Sequence, residues 1–445
     1  MKTVSIATLG CKVNQFESEV LTASLEKKGY CIVPFGDPAD IQIINTCTVT
    51  HRADFQSRQM VRRASRCNPD SLLVVTGCYA EVDPERLAKI EGVHQVVGNV
   101  EKVRLPDLLP SMEKGEGPTI LVSGIGEERL FPETPLHAFR HHTRAFLKIQ
   151  DGCDARCSYC VVPFARGRSR SLSPEKVVEQ TKVLKTKGFK EVVLTGIHIG
   201  AYGRDLHPPS SLESLLDRAE RVASPDRIRL SSIEPIDFSP RLISFLSRSM
   251  KVCPHLHVPI QSGDDEILKR MERGYDRTFI SQLLRELVQH IPTLCLGADV
   301  IVGFPGETEQ QFEQTKSLIE SLPIAYLHVF PFSRRKGTPA SQFPERVEEK
   351  TVTRRAEILR ELGRQKRLAF YRTFLHQQVK VLVEDRRDKA TGTVKGLSRN
   401  YIPILLHLDG SSKMSSDYVN REVVVRVTDV TEDHVVGRVT EVPRG

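Results

Sequence analysis

The sequence predicts an α/β chain in three parts: an N-terminal parallel-sheet α/β unit, a central partial (β/α)6 barrel, and a small antiparallel β-barrel at the C-terminus. Three observations carry this. Strand-like and helix-like stretches alternate from residue 4 to residue 330. A long, highly charged helical run then fills residues 346–372. From residue 376 the pattern changes to short β-type runs with turn residues between them. A chain of 445 residues also exceeds one ordinary core. The parts are expected at residues 1–110, 140–372 and 373–443, with a connecting segment and linker over 111–139.

Composition narrows the setting. With 39% hydrophobic and 27% charged residues the chain reads as soluble and globular, and its net charge of +8 permits a polyanionic partner without requiring one. No apolar run is long enough to span a membrane, and the N-terminus lacks the pattern of a secretory signal. A cytoplasmic location is expected. There, the clustered members among ten cysteines are more often metal ligands than disulfides.

Taken in order, residues 4–10 read as a short buried strand ending in Gly10-Cys11. A helix over 17–29 follows, with Val20, Leu21 and Leu25 at helical spacing and a stop at Gly29. Residues 41–47 form a second strand ending in Cys47, and a helix with Arg52, Arg58, Arg62, Arg63 and Arg66 comes next. Residues 72–78 form a third strand ending in Gly77-Cys78. This βαβα rhythm makes a parallel sheet, in which functional groups gather at the C-terminal strand ends. Cys11, Cys47 and Cys78 sit at such ends and should converge, which reads as a metal site. A closed zinc site would want a fourth ligand, and His51 is the nearest in sequence. Cys31 and Cys67 lack that placement and read as buried small hydrophobes. Residues 107–143 turn to Pro, Gly and Glu around a short strand at 119–122, with His137, His141 and His142 as solvated linker positions.

Residues 144–150 form a strand leading straight into a loop with Cys153, Cys157 and Cys160. Thiols spaced Cys-x3-Cys-x2-Cys can grip three irons of a cubane cluster and leave the fourth open. Strands at 191–196, 228–232, 255–260, 294–302 and 326–330 alternate with helices. Six strands in this rhythm imply a (β/α) barrel or part of one, with its site at the C-terminal mouth. The triple-Cys loop follows the first strand and so lies at that mouth. In the terminal barrel Lys395, Arg399, Asn400 and Tyr401 interleave basic and aromatic side chains, as suits phosphate contact and base stacking.

The loop, with Tyr159 before its last Cys, resembles the radical S-adenosylmethionine (SAM) enzymes. Gly10-Cys11-Lys12-Val13-Asn14-Gln15, Asn45-Thr46-Cys47-Thr48-Val49-Thr50, Thr76-Gly77-Cys78-Tyr79 and Gln150-Asp151-Gly152-Cys153 narrow the resemblance to the methylthiotransferases. It covers essentially the whole chain: a methylthiotransferase N-terminal domain, a radical-SAM core and a TRAM domain. The wording around Cys11 and Cys47 is similar to the MtaB branch, whose substrate is N6-threonylcarbamoyladenosine beside the anticodon of tRNA. Branches acting on isopentenyladenosine or on a ribosomal protein typically read Gly-Cys-Gln-Met-Asn or Gly-Cys-Pro-Lys-Asn at the first place.

The resemblance implies two [4Fe-4S] clusters. One, on Cys153, Cys157 and Cys160, would cleave SAM to a 5′-deoxyadenosyl radical; the other, on Cys11, Cys47 and Cys78, would deliver the sulfur. It also implies SAM contacts at Thr195, Gly196, Ser232, Glu234, Gln261, Asp299 and Ile301. The implied partners are the tRNA anticodon stem-loop and an electron donor such as flavodoxin or ferredoxin. Arg52, Arg58, Arg62, Arg63, Arg166, Arg168, Arg170 and the terminal barrel would supply a basic approach surface. A rival from another class is a non-catalytic RNA-binding protein holding structural zinc. Two groups of three Cys without a consistent fourth ligand argue against it.

Overall fold

The computed structural model describes residues 1–132, 143–407, 418–432 and 434–441. His137, His141 and His142 lie outside the described residues. Strands β1 (Thr3–Thr8), β2 (Cys31–Val33), β3 (Ile41–Thr46), β4 (Leu72–Gly77), β5 (Gln95–Val97) and β6 (Thr119–Leu121) form one sheet in the order β2-β1-β3-β4-β5-β6. Every pairing in it is parallel. All residues of β3 and β4 are buried, as central strands covered on both faces must be. On one face Leu21 and Leu25 of α1 (Lys12–Lys27) join Val4, Ile43 and Val74. On the other, Val61 and Ala64 of α2 (His51–Cys67) join Ile44 and Val75. Thr50 caps α2 by accepting the Ala53 N–H at 3.1 Å. The three-residue strands β2 and β5 are too short to show a period in the sequence. The strand expected within the connecting segment is β6, which pairs with β5 and completes this sheet.

The central part holds β7 (Arg144–Lys148), a short ladder of β8 (Gln150–Asp151) with β9 (Arg170–Ser171), then β10 (Glu191–Thr195), β11 (Arg227–Leu230), β12 (His255–Gln261), β13 (Cys295–Val302) and β14 (Tyr326–Pro331). Six of these run parallel in two sheets, β11-β10-β7 and β12-β13-β14. The Ile228–Val252 bridge and the Ile233 N–H to the His257 carbonyl, 3.0 Å, join β11 to β12. The result is an open barrel with β7 and β14 at its two edges. Phe16 of α1 packs into the barrel core with Ala145 and Leu147, so the N-terminal unit leans on the β7 edge.

The C-terminal part is a closed barrel of β15 (Gln378–Arg387), β16 (Val394–Ser398), β17 (Pro403–His407), β18 (Glu422–Val430) and β19 (Val435–Glu441), ordered β15-β16-β17-β19-β18. The expected antiparallel barrel is realised with one parallel pair, β17–β19. A ring of five strands cannot alternate direction all the way round, so closure demands it.

A buried ionic knot fixes this barrel to the central part. Glu191 has no exposed side-chain surface and receives Arg227 Nε at 2.7 Å and Arg229 Nε at 2.8 Å. The same guanidinium groups donate to the carbonyls of Leu397 (3.0 Å) and Arg399 (3.0 Å), and Arg227 also pairs with Glu422 at 2.9 Å. Sequence reasoning placed Lys395, Arg399, Asn400 and Tyr401 on an RNA-facing edge; three of them instead belong to this junction. Arg399 pairs with Glu422 and donates to the Met250 carbonyl at 2.7 Å. Asn400 is buried on Ser398, and Tyr401 stacks on His255 with centroids 4.1 Å apart. Lys395 is tied to Asp388. A basic or aromatic side chain looks the same in sequence whether it grips a ligand or its own fold.

Burial alone would raise the Glu191 carboxyl, but Arg229 and then Arg227 bring it down to about 2 from 4.5. A depressed carboxyl gives stability that is present above its unfolded value and lost as pH falls through the folded one. The knot should therefore contribute about 3 kcal/mol at neutral pH and lose it between about pH 4.5 and pH 2. Urea midpoints measured down that range are expected to fall in the natural protein. In Glu191→Gln the slope over that window should shrink, at the cost of lower stability at pH 7.

Candidate active site at the meeting of two thiol triads

The first triad is assembled by strand ends. Gly10 and Gly77 take φ values of +103° and +96°, a region open to glycine at little cost. A Cβ on Gly77 would lie 2.5 Å from Asn45 Oδ1, and one on Gly10 would lie 2.8 Å from Cys47 Cβ. These turns bring Cys11, at the start of α1, beside Cys47, which follows β3, and Cys78, which opens α3 (Cys78–Val82). Asn14 laces the turns together, donating to the carbonyls of Leu9 (2.8 Å) and Thr46 (3.0 Å). Burial, and then the neighbouring Cys78, push the Cys47 thiol up to about 12.

The second triad lies in the loop after β8. Gln150 braces this loop, donating to the Gly152 carbonyl at 2.7 Å and accepting the Ile197 and His198 N–H groups. Cys153 Sγ lies 3.6 Å from His198 Nδ1, whose Nε2 is held by Asp237 at 2.6 Å. Cys157 Sγ accepts from Arg273 Nη1 at 3.1 Å. Burial pushes Cys160 up to about 12, against the pull of the Val162 N–H.

One side chain connects the triads. The short helix Val162–Arg166 starts just past Cys160 and ends in Arg166, which is 1% exposed. Its Nε donates to Cys78 Sγ at 3.2 Å, and its other nitrogens reach Asn14 and Glu17. Glu17 also takes Lys102 (2.5 Å) and Lys148 (3.0 Å), and Asp151 takes Lys148 at 3.0 Å with Arg166 at 3.6 Å and Arg170 at 3.7 Å. Four cations thus meet two carboxylates, and the surplus positive charge sits beside Cys78. A second clasp joins the N-terminal unit to the segment after β14: Arg335 pairs with Asp54 at 2.8 Å and donates to Thr48 at 2.6 Å. Arg166 and Arg170, expected on a basic approach surface, are buried structural cations, whereas Arg52, Arg62, Arg63 and Arg168 are exposed.

The other expected positions fall as follows. Thr195 ends β10 and accepts from Ser231 at 3.1 Å, and a Cβ on Gly196 would press on the Gln150 carbonyl. Ser232 meets His257 Nδ1 at 2.7 Å, and Glu234 pairs with Arg273. Gln261 ends β12 with a φ of +65°. Ile301 packs among Ile267, Met271 and Phe304. Asp299 lies partway along β13 with His257 at 3.0 Å and His328 at 3.1 Å, and these bonds hold its carboxyl at about 2 against the effect of burial. His51 is no thiol partner: its Nε2 meets the Arg334 carbonyl at 2.6 Å. Cys31 and Cys67, expected to be buried, are exposed. Sequence reasoning passed over His198 and Arg273, quoted Asn14 only within a motif, and placed Arg166 on a solvent-facing surface. His198 stood close to a signal, two residues past the strand-end Gly196.

The spacing of the donor atoms bears on what each triad could hold. Among the described residues, the one group of three potential ligand atoms within 4.8 Å of one another is His257, Asp299 and His328. Neither thiol triad is that tight. A tetrahedral zinc, with bonds of about 2.3 Å, would draw its sulfurs to about 3.8 Å. A cubane holds its cysteines on separate iron corners and so further apart. The loop triad fits an iron–sulfur cluster of the SAM-cleaving kind. Basic charge facing solvent gathers elsewhere. Arg360, Arg364 and Arg367, with Arg144 held on Glu384 and Lys395 on Asp388, ring Tyr326 and Tyr371 around a cavity of about 590 Å³ at the seam of the open and closed barrels.

Comparison with known proteins follows this geometry. Residues 3–98 match the uncharacterized protein family UPF0004, and residues 147–319 match the radical SAM superfamily. Over 429 residues the chain is 38% identical to the threonylcarbamoyladenosine tRNA methylthiotransferase MtaB of Bacillus subtilis, covering 96% of this chain and 94% of that one. It is 38% identical to the MtaB of Aquifex aeolicus, over 90% of this chain and 96% of that one. It is 34% identical to a tRNA-2-methylthio-N(6)-dimethylallyladenosine synthase of Pelotomaculum thermopropionicum, over 98% and 97% of the two chains. Among solved structures, the radical SAM methyltransferase TsrM of Kitasatospora setae shares the fold with a TM-score of 0.58, 17% identity, and coverage of 76% of this chain and 77% of that one.

Proposed function

Since the chain belongs to the radical-SAM tRNA methylthiotransferase family, we propose that it places a methylthio group on carbon 2 of N6-threonylcarbamoyladenosine next to the anticodon. The observation that carries this reading is the pair of thiol triads tied together through Arg166. When bound, a [4Fe-4S] cluster on Cys153, Cys157 and Cys160 supplies reductive SAM cleavage, and a second on Cys11, Cys47 and Cys78 supplies the sulfur-bearing iron. The Arg166 guanidinium on Cys78 supports the second, because it favours a thiolate there against the burial that raises the thiol.

The chain's own residues then have assignable tasks. Arg273 holds Cys157 and Glu234 in one register, and His198, oriented by Asp237, steadies Cys153. Thr195, Gly196, Ser232, Glu234, Gln261, Asp299 and Ile301 line the strand ends and flanks where SAM would lie, with Ile301 as the apolar wall. The basic cavity at the barrel seam and the exposed arginines of α2 provide phosphate contacts, whose contribution falls with salt. The target base must leave its stack to reach the thiols. An electron donor such as flavodoxin or ferredoxin would deliver the electron.

Identity to dimethylallyladenosine synthases over nearly the whole chain keeps isopentenyladenosine as the second reading. Mass spectrometry of tRNA nucleosides decides between them. A deletion strain with no other enzyme of this kind should lose 2-methylthio-N6-threonylcarbamoyladenosine and keep its unthiolated precursor. Loss of the isopentenyl product instead would replace the first reading with the second.

A further inference from the structure

Leu327 and Val329 of β14 pack into the open-barrel core with Ile358 and Leu362 of the long helix Glu349–Arg372. Side chains alternate along a strand, so Tyr326, His328 and Phe330 stand together on its other face, along an open edge of the barrel. The His328 side chain is 55% exposed and Phe330 is 40% exposed. Ring centroids are 5.3 Å apart from Tyr326 to His328 and 6.4 Å apart from His328 to Phe330, with planes turned by 56° and 75°. No ring in the row therefore covers the face of the next.

The two ends of the row lead to different places. Past its C-terminal end the chain clasps the N-terminal unit through Arg335, and the Ala340 N–H donates to the Ser158 carbonyl inside the triple-Cys loop at 2.8 Å. At the other end Tyr326 lines the seam cavity with Tyr371, Arg360 and Arg367. Glu384, the one carboxylate among the described residues lining that cavity, is taken by Arg144, while Arg364 holds Glu361 and Lys395 holds Asp388. Arg360 and Arg367 make no ion pair or hydrogen bond among the described residues. At about 590 Å³ the cavity has room for one base with its sugar and phosphate.

Separated aromatic faces that end at unpaired guanidinium groups fit a single strand of nucleic acid, whose bases stack on the rings while its phosphates meet the cations. The ring spacing exceeds the step of about 3.4 Å between stacked bases, so the strand it fits has its bases splayed apart. An acidic peptide would satisfy the arginines and leave the rings bare. We propose that Tyr326, His328 and Phe330 form a stacking ladder for unpaired nucleotides flanking the target adenosine in the anticodon loop, with the phosphate of the outermost one seated on Arg360 and Arg367 in the seam cavity. This goes beyond the functional reading above and rests on its choice of tRNA as substrate.

The test uses anaerobic holoenzyme without reductant and synthetic anticodon stem-loops made abasic at one loop position at a time, the target position excepted. In the natural protein, abasic sites on one side of the target should weaken binding by about 5- to 100-fold. Phe330→Leu keeps apolar bulk and removes the ring, so one of those losses should vanish in it, and Phe330→Trp should retain them all. Each loss is a ratio within one variant, so a reduced folded fraction cancels. In Arg367→Met the slope of log affinity against log salt should shrink by about 0.7, the share of one phosphate on a single strand. A natural protein indifferent to every abasic site overturns the proposal, as does a Phe330→Leu protein with the natural pattern of losses. An unchanged salt slope removes the seam cavity from it. On reduction, an enzyme that shows the expected pattern yet thiolates only an isopentenyladenosine loop overturns the functional reading and leaves the ladder standing.

Discussion

Alanine in place of Cys47 is expected to stop methylthio transfer while 5′-deoxyadenosine continues to form from SAM; alanine in place of Cys157 should stop both. The asymmetry follows from where the two residues sit. Cys47 is buried against the Gly10 turn and shares its surroundings with Cys78 and Cys11. Cys157 belongs to the loop braced by Gln150 and faces Arg273. Each triad has three thiols, so losing one leaves two, and His51 beside the first triad's helix is committed to the Arg334 carbonyl. Iron content should fall from about eight to about four per chain in either variant, as expected for the loss of one cubane. The affected activity should drop by more than about a thousandfold, well beyond the 10- to 100-fold of a change outside the ligand set. Zinc retained in the natural protein with no SAM cleavage would sink the cluster assignment.

Arg166→Met should be the most damaging change outside the cysteines. The guanidinium is 1% exposed and serves Cys78, Asn14, Glu17 and Asp151 together. Burial alone would disfavour its charge, but Cys78, Glu17 and Asp151 more than offset that. A methionine fills the volume but leaves two buried carboxylates sharing fewer cations, which costs about 3–5 kcal/mol. The loss should appear as a lower urea midpoint that added salt barely alters, because buried pairs are poorly screened. Iron at the Cys11–Cys47–Cys78 triad should fall with it. Arg166→Lys keeps the charge without the planar fork and should land between the two. A variant as stable and as iron-rich as the natural protein would show that Arg166 is not the connection.

Legibility in the sequence followed local chemistry. The strand-end cysteines and the triple-Cys loop could be read because a β-strand followed by Gly-Cys, or three thiols in one short loop, is a signal contained in a few neighbouring residues. The open barrel was readable from alternating periods, though β2 and β5 were too short to register. What escaped was pairing across the chain. Arg166 and Arg170 look like solvated charges until Glu17 and Asp151 are brought to them, and the Glu17 contact spans 149 positions. Tyr401 and Arg399 looked like an RNA edge because nothing local reveals His255, Met250 or Glu422 as their neighbours.

The Glu191 knot has a mechanical consequence. With Arg227 and Arg229 gripping a buried carboxylate and the carbonyls of the closed barrel at once, that barrel is no tethered arm swinging in to clasp RNA. It is a fixed jaw. Closing around an incoming hairpin would break charged contacts deep in the junction, so deformation falls to the more pliable body. A tRNA would have to present its base to a stationary frame, and a substrate too stiff to do so would be refused before any chemistry begins.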